Sequence, residues 1–307
     1  MDWSSQPELV IILAPPRCFT TLVSAMLGQH PQMYGLPETY LFTAPTMLDW
    51  WAAHQGTDHV DGLSRAVAQI VYQSQTENTI ELARRWLRRP RQKTADVMRA
   101  LADRVSPAIL VEKTPQTAEH TEHLQRIVSE FPNSRFLHLL RHPFGQVHSR
   151  LQRRMKNLTK QIGASSNLEL VDVAQRFGGR DPQMLWYRCN ANIVAFLQTL
   201  PPEQHMRVRA EHLLADPDLQ LHAIARWLNL RSDPPAIEAM KHPECSPFAC
   251  FGPANARMGG DENFFADPIL RPHAPVVHSL EAPLPWRTDG APFLPQIQAL
   301  AQQLGYS

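Results

Sequence analysis

Short strand-like runs recur along this 307-residue chain, and stretches with helical spacing separate them. The runs cover residues 9–14, 33–36, 108–111, 135–140 and 206–209. Continuous apolar runs such as 9–14 indicate strands buried on both faces. Strands that alternate with helices predict an α/β fold, with a central parallel sheet flanked by helices. In such sheets ligands bind beyond the carboxyl ends of the strands.

Two segments fall outside this alternation. Residues from about 43 to 103 have the spacing of several helices, and prolines cluster from Pro243 to Pro295. We therefore expect a single domain over residues 1–307, with a helical insert at about 43–103 and a loop-rich C-terminal segment at about 243–292. Segments of this kind vary and face substrates.

The overall charge gives no reason to expect an extended anionic partner. The formal net charge is +1, so we expect no nucleic-acid partner and no membrane partner. No run approaches the roughly 20 apolar residues of a membrane span, and the N-terminus lacks the basic region of a signal peptide. A cytoplasmic location is predicted. The four cysteines form no CxxC pair, which disfavours a disulfide framework or a zinc site.

The first run leads into a loop, "PPRCFTT", and then into a helix. A helix N-terminus offers free N–H groups and the positive end of the dipole, and Arg17, Thr20 and Thr21 add donors for an anion. The alternative is a tight turn capped by Thr20, with Arg17 in solvent. The pattern GxxxxGK[ST] is absent, which disfavours an NTP hydrolase or a kinase.

Three further strand ends carry polar residues. Arg141 ends the fourth run and Ser149 lies eight residues later, so both could hold a second phosphate, or be an ordinary surface arginine and helix serine. Glu38 could act as a general base or cap the helix that follows it. Lys113 could neutralise a leaving oxygen, or be a solvated lysine paired with Glu112.

Two phosphate sites with a carboxylate and a lysine between them imply a ligand that carries phosphate at both ends. This combination resembles the PAPS-dependent sulfotransferases over residues 9–230. The closest likeness is to tyrosylprotein sulfotransferases and to sulfotransferase domains of polyketide synthase systems. It rests on Leu27, His30-Pro31 and Glu38, on the "VHS" that ends the second motif, and on "RMGGDENF".

The resemblance implies a P-loop-like sulfotransferase fold and PAPS (3′-phosphoadenosine 5′-phosphosulfate) as the co-substrate, with no metal. It implies Glu38 as the general base, Lys113 as its electrophilic partner, and Arg17 as a catalytic cation. The donor-binding residues that it implies are Arg17, Thr20 and Thr21, the backbone N–H groups of Cys18 and Phe19, Arg141, Ser149, and the closing segment Arg257, Met258, Gly259 and Gly260.

The acceptor that we expect is a hydroxyl or amide-type nitrogen of a small or carrier-protein-tethered specialised metabolite. The alternatives are a tyrosine or carbohydrate sulfotransferase, a nucleotide-binding member without catalysis, and a P-loop-like kinase. The arginine-rich stretch 84–91 could meet an acidic carrier, although a solvated helix face is the simpler interpretation.

Two positions depart from the family pattern. Phe19 stands where the family loop normally has glycine, a residue that permits unusual backbone φ values. Ala210 stands where the family places an aromatic near the adenine. Trp186 or Tyr187 could replace that aromatic, but core packing is the simpler interpretation of both.

Overall fold

A parallel five-stranded sheet forms the centre of the molecule. The computed structural model describes residues 6–89, 91–162, 168–176, 181–274, 276 and 278–307. The strands are β1 (Leu9–Leu13), β2 (Met33–Gly35), β3 (Ile109–Glu112), β4 (Arg135–Leu140) and β5 (His205–Arg209). Their order is β2-β3-β1-β4-β5, and every neighbouring pair is parallel. The predicted fold class is confirmed, and all five carboxyl ends lie at one edge.

Helices cover both faces of this sheet. They are α1 (Thr20–Leu27), α2 (Met47–His54), α3 (His59–Tyr72), α4 (Glu77–Leu87), α5 (Thr94–Val105), α6 (Thr121–Glu130), α7 (Pro143–Ile162), α8 (Leu170–Gln175), α9 (Met184–Leu197), α10 (Ala210–Ala215), α11 (Pro217–Trp227), α12 (Pro234–Met240), α13 (Glu262–Ala266) and α14 (Pro295–Gln303). Helices α2 to α5 occupy the stretch predicted as a helical insert. The stretch 243–292 is largely irregular in its described part and carries the short helix α13.

The strand alternation divides the central strand between two cores. Leu9, Ile11 and Leu13 pack into one apolar cluster, which includes side chains of α3, α5 and α6. Val10 and Ile12 pack into the opposite cluster, with side chains of α1, α11 and α12. Each of the five is at most 1% exposed, and burying a side chain of this size stabilises the fold by about 1.5–3 kcal/mol.

A close contact between two glycines brings α1 against β2. A Cβ atom built on Gly28 would lie 2.4 Å from the backbone nitrogen of Gly35, so neither position has room for a side chain. The Ser24 hydroxyl donates to the carbonyl oxygen of Leu36 at 3.1 Å. These contacts fix the start of the segment that carries Glu38.

One helix is longer than the sequence predicted. The periodicity indicates a helix that ends near residue 152, whereas α7 continues to Ile162. The stretch from Arg153 to Lys160 consists mostly of good helix formers and contains neither glycine nor proline. Leu151 is fully buried, and Met155 and Leu158 pack against the same apolar cluster. Tertiary packing therefore extends the helix beyond the point that we predicted.

Candidate functional site

The loops at the carboxyl edge of the sheet surround a cavity of about 610 Å³. Most of the predicted site residues line it. They are Arg17, Phe19, Thr20, Thr21, Glu38, Arg141, Ser149, Met258, Gly259 and Gly260. Cys18, Lys113 and Arg257 are not among the lining residues. Cys18 is buried beneath the loop, and Lys113 lies behind the cavity wall with 1% of its surface exposed.

The loop between β1 and α1 adopts the backbone conformation that its missing glycine would favour. Phe19 has φ 61° and Arg17 has φ 71°, both in the left-handed region. This region costs a non-glycine residue about 1–2 kcal/mol. The centroid of the Phe19 ring lies 4.4 Å from the guanidinium carbon of Arg141. A cation–π contact of this kind stabilises the loop by about 0.5–2 kcal/mol. Phe19 thus takes the place of a glycine and gains a contact that glycine lacks.

Arg17 reaches across the cavity instead of pointing into solvent. Its Nε donates to Ser149 Oγ at 3.2 Å, and its Nη1 donates to Asp261 Oδ1 at 2.7 Å. The backbone N–H of Asp261 donates to Thr21 Oγ1 at 3.1 Å. The two predicted phosphate sites therefore touch each other through Arg17 and Ser149, and Asp261 joins them.

Arg141 supports the first loop from below. Its Nη1 donates to the carbonyl oxygen of Arg17 at 2.6 Å, and its own carbonyl accepts from Trp186 Nε1 at 3.0 Å. A Cβ atom on Gly145 would lie 2.9 Å from Arg141 Nε, so the glycine leaves room for the guanidinium against α7. Burial lowers the pKa of Arg141. Arg141 is therefore no ordinary surface arginine, and Trp186 is a core residue.

Glu38 is held from both sides. Lys113 Nζ donates to Glu38 Oε1 at 3.0 Å and to Thr21 Oγ1 at 2.9 Å. The Tyr40 hydroxyl donates to Glu38 Oε2 at 3.1 Å, and the His59 ring stacks on Tyr40 with 4.3 Å between centroids. Glu38 keeps 17% of its side chain exposed, so the carboxylate faces the cavity while its partners are buried.

This arrangement decides between the interpretations that the sequence left open. Glu38 does not cap a helix, because both of its oxygens accept from Lys113 and Tyr40. Lys113 is neither solvated nor bonded to Glu112. A carboxylate paired with a buried ammonium, beside two arginines and a helix N-terminus, is suited to accept a proton next to a bound anion.

Comparison with known proteins decides the family. A model described as "Sulfotransferase family" matches residues 7–234. The chain belongs to the sulfotransferase family. A "Putative protein-tyrosine sulfotransferase" of Caenorhabditis briggsae is 25% identical over 232 residues, which are 74% of this chain and 68% of that protein.

Two solved structures share the whole fold of this sulfotransferase. The sulfotransferase domain from the Synechococcus PCC 7002 olefin synthase matches with a TM-score of 0.72 and 23% identity, over 99% of this chain and 96% of that one. The sulfotransferase domain from the curacin biosynthetic pathway matches with a TM-score of 0.69 and 22% identity, over 99% of both chains. The likeness to the tyrosylprotein and polyketide-associated enzymes, which the sequence motifs predict, is confirmed.

Behind the site, the sulfotransferase buries a second carboxyl group. Glu112 is fully buried, and its Oε1 accepts from the hydroxyls of Thr39 and Thr114 at 3.0 and 2.5 Å. Its Oε2 has no hydrogen-bond partner within the described part of the chain. The Thr114 hydroxyl also accepts from the backbone N–H of Tyr40 at 3.1 Å. Burial raises the pKa of Glu112 from 4.5 to about 7, against the opposing effect of the two hydroxyls.

The raised pKa predicts a pH-dependent cost of folding. The fold prefers protonated Glu112, so its stability falls as pH rises above 4.5 and levels off above about 7. Glu112→Gln removes the ionisation and keeps an oxygen for the two hydroxyls. In urea unfolding we expect the variant to match the wild type near pH 4.5 and to exceed it by about 3 kcal/mol at pH 8.

Glu130 provides a control of opposite sign. Hydrogen bonds from Arg99 and Lys93 lower its pKa, so Glu130→Gln should lose stability relative to the wild type as pH rises. A difference between Glu112→Gln and the wild type that does not change with pH would contradict the raised pKa of Glu112.

Helix α3 holds the C-terminal segment over the cavity. Arg65, which is 0% exposed, donates to the carbonyl oxygens of Met258 and Cys250 at 3.0 and 2.9 Å and to Gln75 Oε1 at 2.7 Å. Asp61 Oδ2 accepts from the backbone N–H of Met258 at 3.0 Å. These bonds position Gly259 and Gly260 next to the loop that follows β1.

Gly62 allows this approach. A Cβ atom at Gly62 would lie 1.9 Å from the carbonyl oxygen of Glu38 and 3.2 Å from the Cα of Gly259. The Glu38 N–H donates to the carbonyl oxygen of Gly259 at 2.8 Å. Arg257 itself is exposed and lies over the Phe251 ring, 4.2 Å from its centroid. The segment therefore closes over the cavity through its backbone, not through the Arg257 side chain.

The arginine-rich stretch also has structural partners. Arg84 Nη2 donates to the carbonyl oxygen of Asn255 at 2.6 Å, and Arg84 Nη1 pairs with Glu81 at 3.1 Å. Arg89 lies over the Trp86 ring at 5.5 Å. At least two of these arginines thus bind this chain, which leaves Arg85, Arg88 and Arg91 as the exposed remainder.

Sequence reasoning missed several residues of the site. Tyr40 follows Glu38 by two positions, so its place at a strand end was an available signal. Asp261 and Arg65 lie far along the chain from the residues that they contact; Asp261 falls within the quoted segment "RMGGDENF", but no local pattern indicates the partners of either residue. Tyr187 is partly buried in the apolar cluster around α7 and does not line the cavity.

Proposed function

We propose that this sulfotransferase uses PAPS and transfers its sulfuryl group to a hydroxyl or amide-type nitrogen of a small or carrier-tethered specialised metabolite in the cytoplasm. One observation carries the proposal: the Glu38 carboxylate, 3.0 Å from the buried Lys113 ammonium, opens on the same cavity as Arg17, Arg141 and Ser149. A proton acceptor and an anion site therefore share one space.

The cavity suits a nucleotide with two phosphates on one ribose. Its volume of about 610 Å³ lies in the usual range of small-molecule sites, roughly 300–1,000 Å³. The 3′- and 5′-phosphates are attached to the same ribose ring. Neighbouring donors such as Arg17 and Ser149 can therefore bind the two phosphates of one nucleotide. Gly260 lets the C-terminal segment pack directly on the first loop, because a Cβ atom there would lie 2.9 Å from Thr21 Cγ2.

The chemistry follows from the positions of these groups. Glu38 accepts the proton as the acceptor oxygen or nitrogen forms its bond to sulfur. The bond from sulfur to the 5′-phosphate oxygen breaks, and PAP (3′-phosphoadenosine 5′-phosphate) leaves with the electron pair. Arg17 and the N-terminus of α1 stabilise negative charge on the sulfuryl and phosphate oxygens. Lys113 acts from behind the cavity wall, where its ammonium donates to Thr21 Oγ1 and to Glu38 Oε1 and so orients the carboxylate.

The acceptor class rests on the relatives. The domains from the olefin synthase and the curacin pathway favour a specialised metabolite, whereas the Caenorhabditis briggsae relative favours the tyrosine alternative. Incubation with radiolabelled PAPS and a panel of simple phenols, tyrosine peptides and hydroxyacyl thioesters distinguishes them by which acceptor becomes labelled. PAP binding without labelling of any acceptor would favour a nucleotide-binding protein without catalysis.

Arg141 gives a direct test of the nucleotide site. Arg141→Ala removes a charged donor worth about 1.5–3 kcal/mol, so we expect calorimetry to show PAP binding weakened by about 10- to 150-fold. Arg154→Ala is the matched control, since Arg154 also lies on α7 but does not line the cavity and donates to the carbonyl oxygen of Arg176 at 2.7 Å. An unchanged PAP affinity in Arg141→Ala would remove Arg141 from the 3′-phosphate site.

A further inference from the structure

A carboxylate occupies the middle of the predicted anion site. Asp261 Oδ1 lies 2.7 Å from Arg17 Nη1, and the two side chains are 27% and 13% exposed. Asp261 also lines the cavity. A negative group in this position opposes the binding of a phosphate, because like charges a few ångströms apart repel strongly in a partly buried site.

The donors of Arg17 show what a phosphate would have to displace. A guanidinium binds phosphate most strongly when two neighbouring N–H groups donate to it in a bidentate arrangement. A bidentate anion can bind either Nε together with Nη2 or Nη1 together with Nη2. In Arg17, Nε already donates to Ser149 and Nη1 already donates to Asp261, so one nitrogen of each pair has a partner. A bidentate phosphate on Arg17 must therefore replace either the serine hydroxyl or the carboxylate, and replacing the carboxylate also removes the repulsion.

The backbone around Asp261 is held in place while its side chain has an alternative partner. The Asp261 N–H donates to Thr21 Oγ1, and a Cβ atom on Gly259 would lie 2.9 Å from the Gly62 Cα, so the segment is tightly packed. Asp261 Oδ1 also accepts from the Asn263 N–H at 3.1 Å and caps α13. The same oxygen makes both bonds, so Asp261 keeps its bond to Asn263 when the Arg17 guanidinium turns away from it.

We propose that Asp261 is an internal competitor for Arg17, and that binding of the donor nucleotide exchanges the aspartate carboxylate for a phosphate on the same guanidinium. The inference rests on the proposed function. Asp261 weakens the binding of both PAPS and PAP, and so speeds the departure of the product. It also keeps Arg17 extended across the cavity before the donor arrives.

Calorimetry with PAP tests this on the full chain. Asp261→Asn and Asp261→Ser remove the charge, and both residues remain good helix caps. We expect each variant to bind PAP about tenfold more tightly than the wild type or better, since the phosphate no longer has to displace a charged partner from Arg17. Glu262→Gln is the control, because it removes the same charge one residue away without touching Arg17.

The outcomes separate this inference from the proposal on which it rests. Tighter binding in both Asp261 variants, with Glu262→Gln within about twofold of the wild type, supports the exchange. Equal or weaker binding in the Asp261 variants, when the wild type binds PAP, overturns the exchange alone. If the wild type binds no PAP, the proposed function fails, and the exchange fails with it.

Discussion

Glu38→Gln should lower the kcat of sulfuryl transfer by about 10²- to 10⁴-fold, the usual contribution of a general base. Glutamine has the shape of glutamate but cannot accept the acceptor's proton. Its amide oxygen can still accept from Lys113 Nζ, which lies 3.0 Å from Glu38 Oε1. The anion donors Arg17 and Arg141 are untouched, so PAP affinity should stay within about threefold of the wild type.

Asp58→Asn is the matched control for Glu38→Gln. Asp58 also contributes a carboxylate to the cavity wall, but neither Lys113 nor Tyr40 bonds to it. Steady-state kinetics with radiolabelled PAPS, together with PAP calorimetry, separate a loss of chemistry from a loss of binding. Wild-type turnover in Glu38→Gln would exclude Glu38 as the base, whatever Asp58→Asn does.

Arg65→Met should destabilise the chain by about 3 kcal/mol or more. Methionine fills much of the same space, but it removes three hydrogen bonds from a charged donor, each typically worth about 1.5–3 kcal/mol. It also removes a cation that lies 5.5 Å from the Phe265 ring and 5.9 Å from the Phe248 ring. Because Met258 loses one of its two anchors and keeps only the bond to Asp61, PAP binding should weaken as well.

Arg84→Met provides the comparison. Arg84 also joins the helical insert to the C-terminal segment, through Asn255, but it is 21% exposed, and its ion pair with the 54% exposed Glu81 lies at the surface. Such pairs contribute about 1 kcal/mol or less. Urea unfolding of the two variants should therefore rank Arg65→Met well below Arg84→Met. Equal stabilities would mean that Arg65 does not hold the segment in place.

The sequence was sufficient for the fold and for the position of the site. Strand runs such as 9–14 and 135–140 agree with β1 and β4 to within one residue, because continuous apolar runs between polar loops allow few alternatives. The strand-end rule then placed Arg17, Glu38 and Arg141 around one cavity.

The sequence was not sufficient for contacts that join distant segments. Asp261 lies 244 residues from Arg17, and nothing in "GGDENF" indicates which arginine it meets. Arg65 was hidden by its position in an amphipathic helix, where an arginine normally lies in solvent. The backbone of Phe19 was equally hidden, because its left-handed conformation depends on Arg141 and the helix that follows.

The contact of Gly62 with Glu38 and Gly259 bears on how new members of this enzyme class could be engineered. At Gly62 the helical insert, which would recognise an acceptor, meets the C-terminal segment, which would cover the nucleotide. The contact has no room for a methyl group. A chimaera that takes only the helices of residues 47–105 from another enzyme would place a foreign surface against the native C-terminal segment at residues 250–260. Both pieces would therefore have to come from the same parent, and under the proposed function the acceptor wall and the cover of the nucleotide would be inherited together.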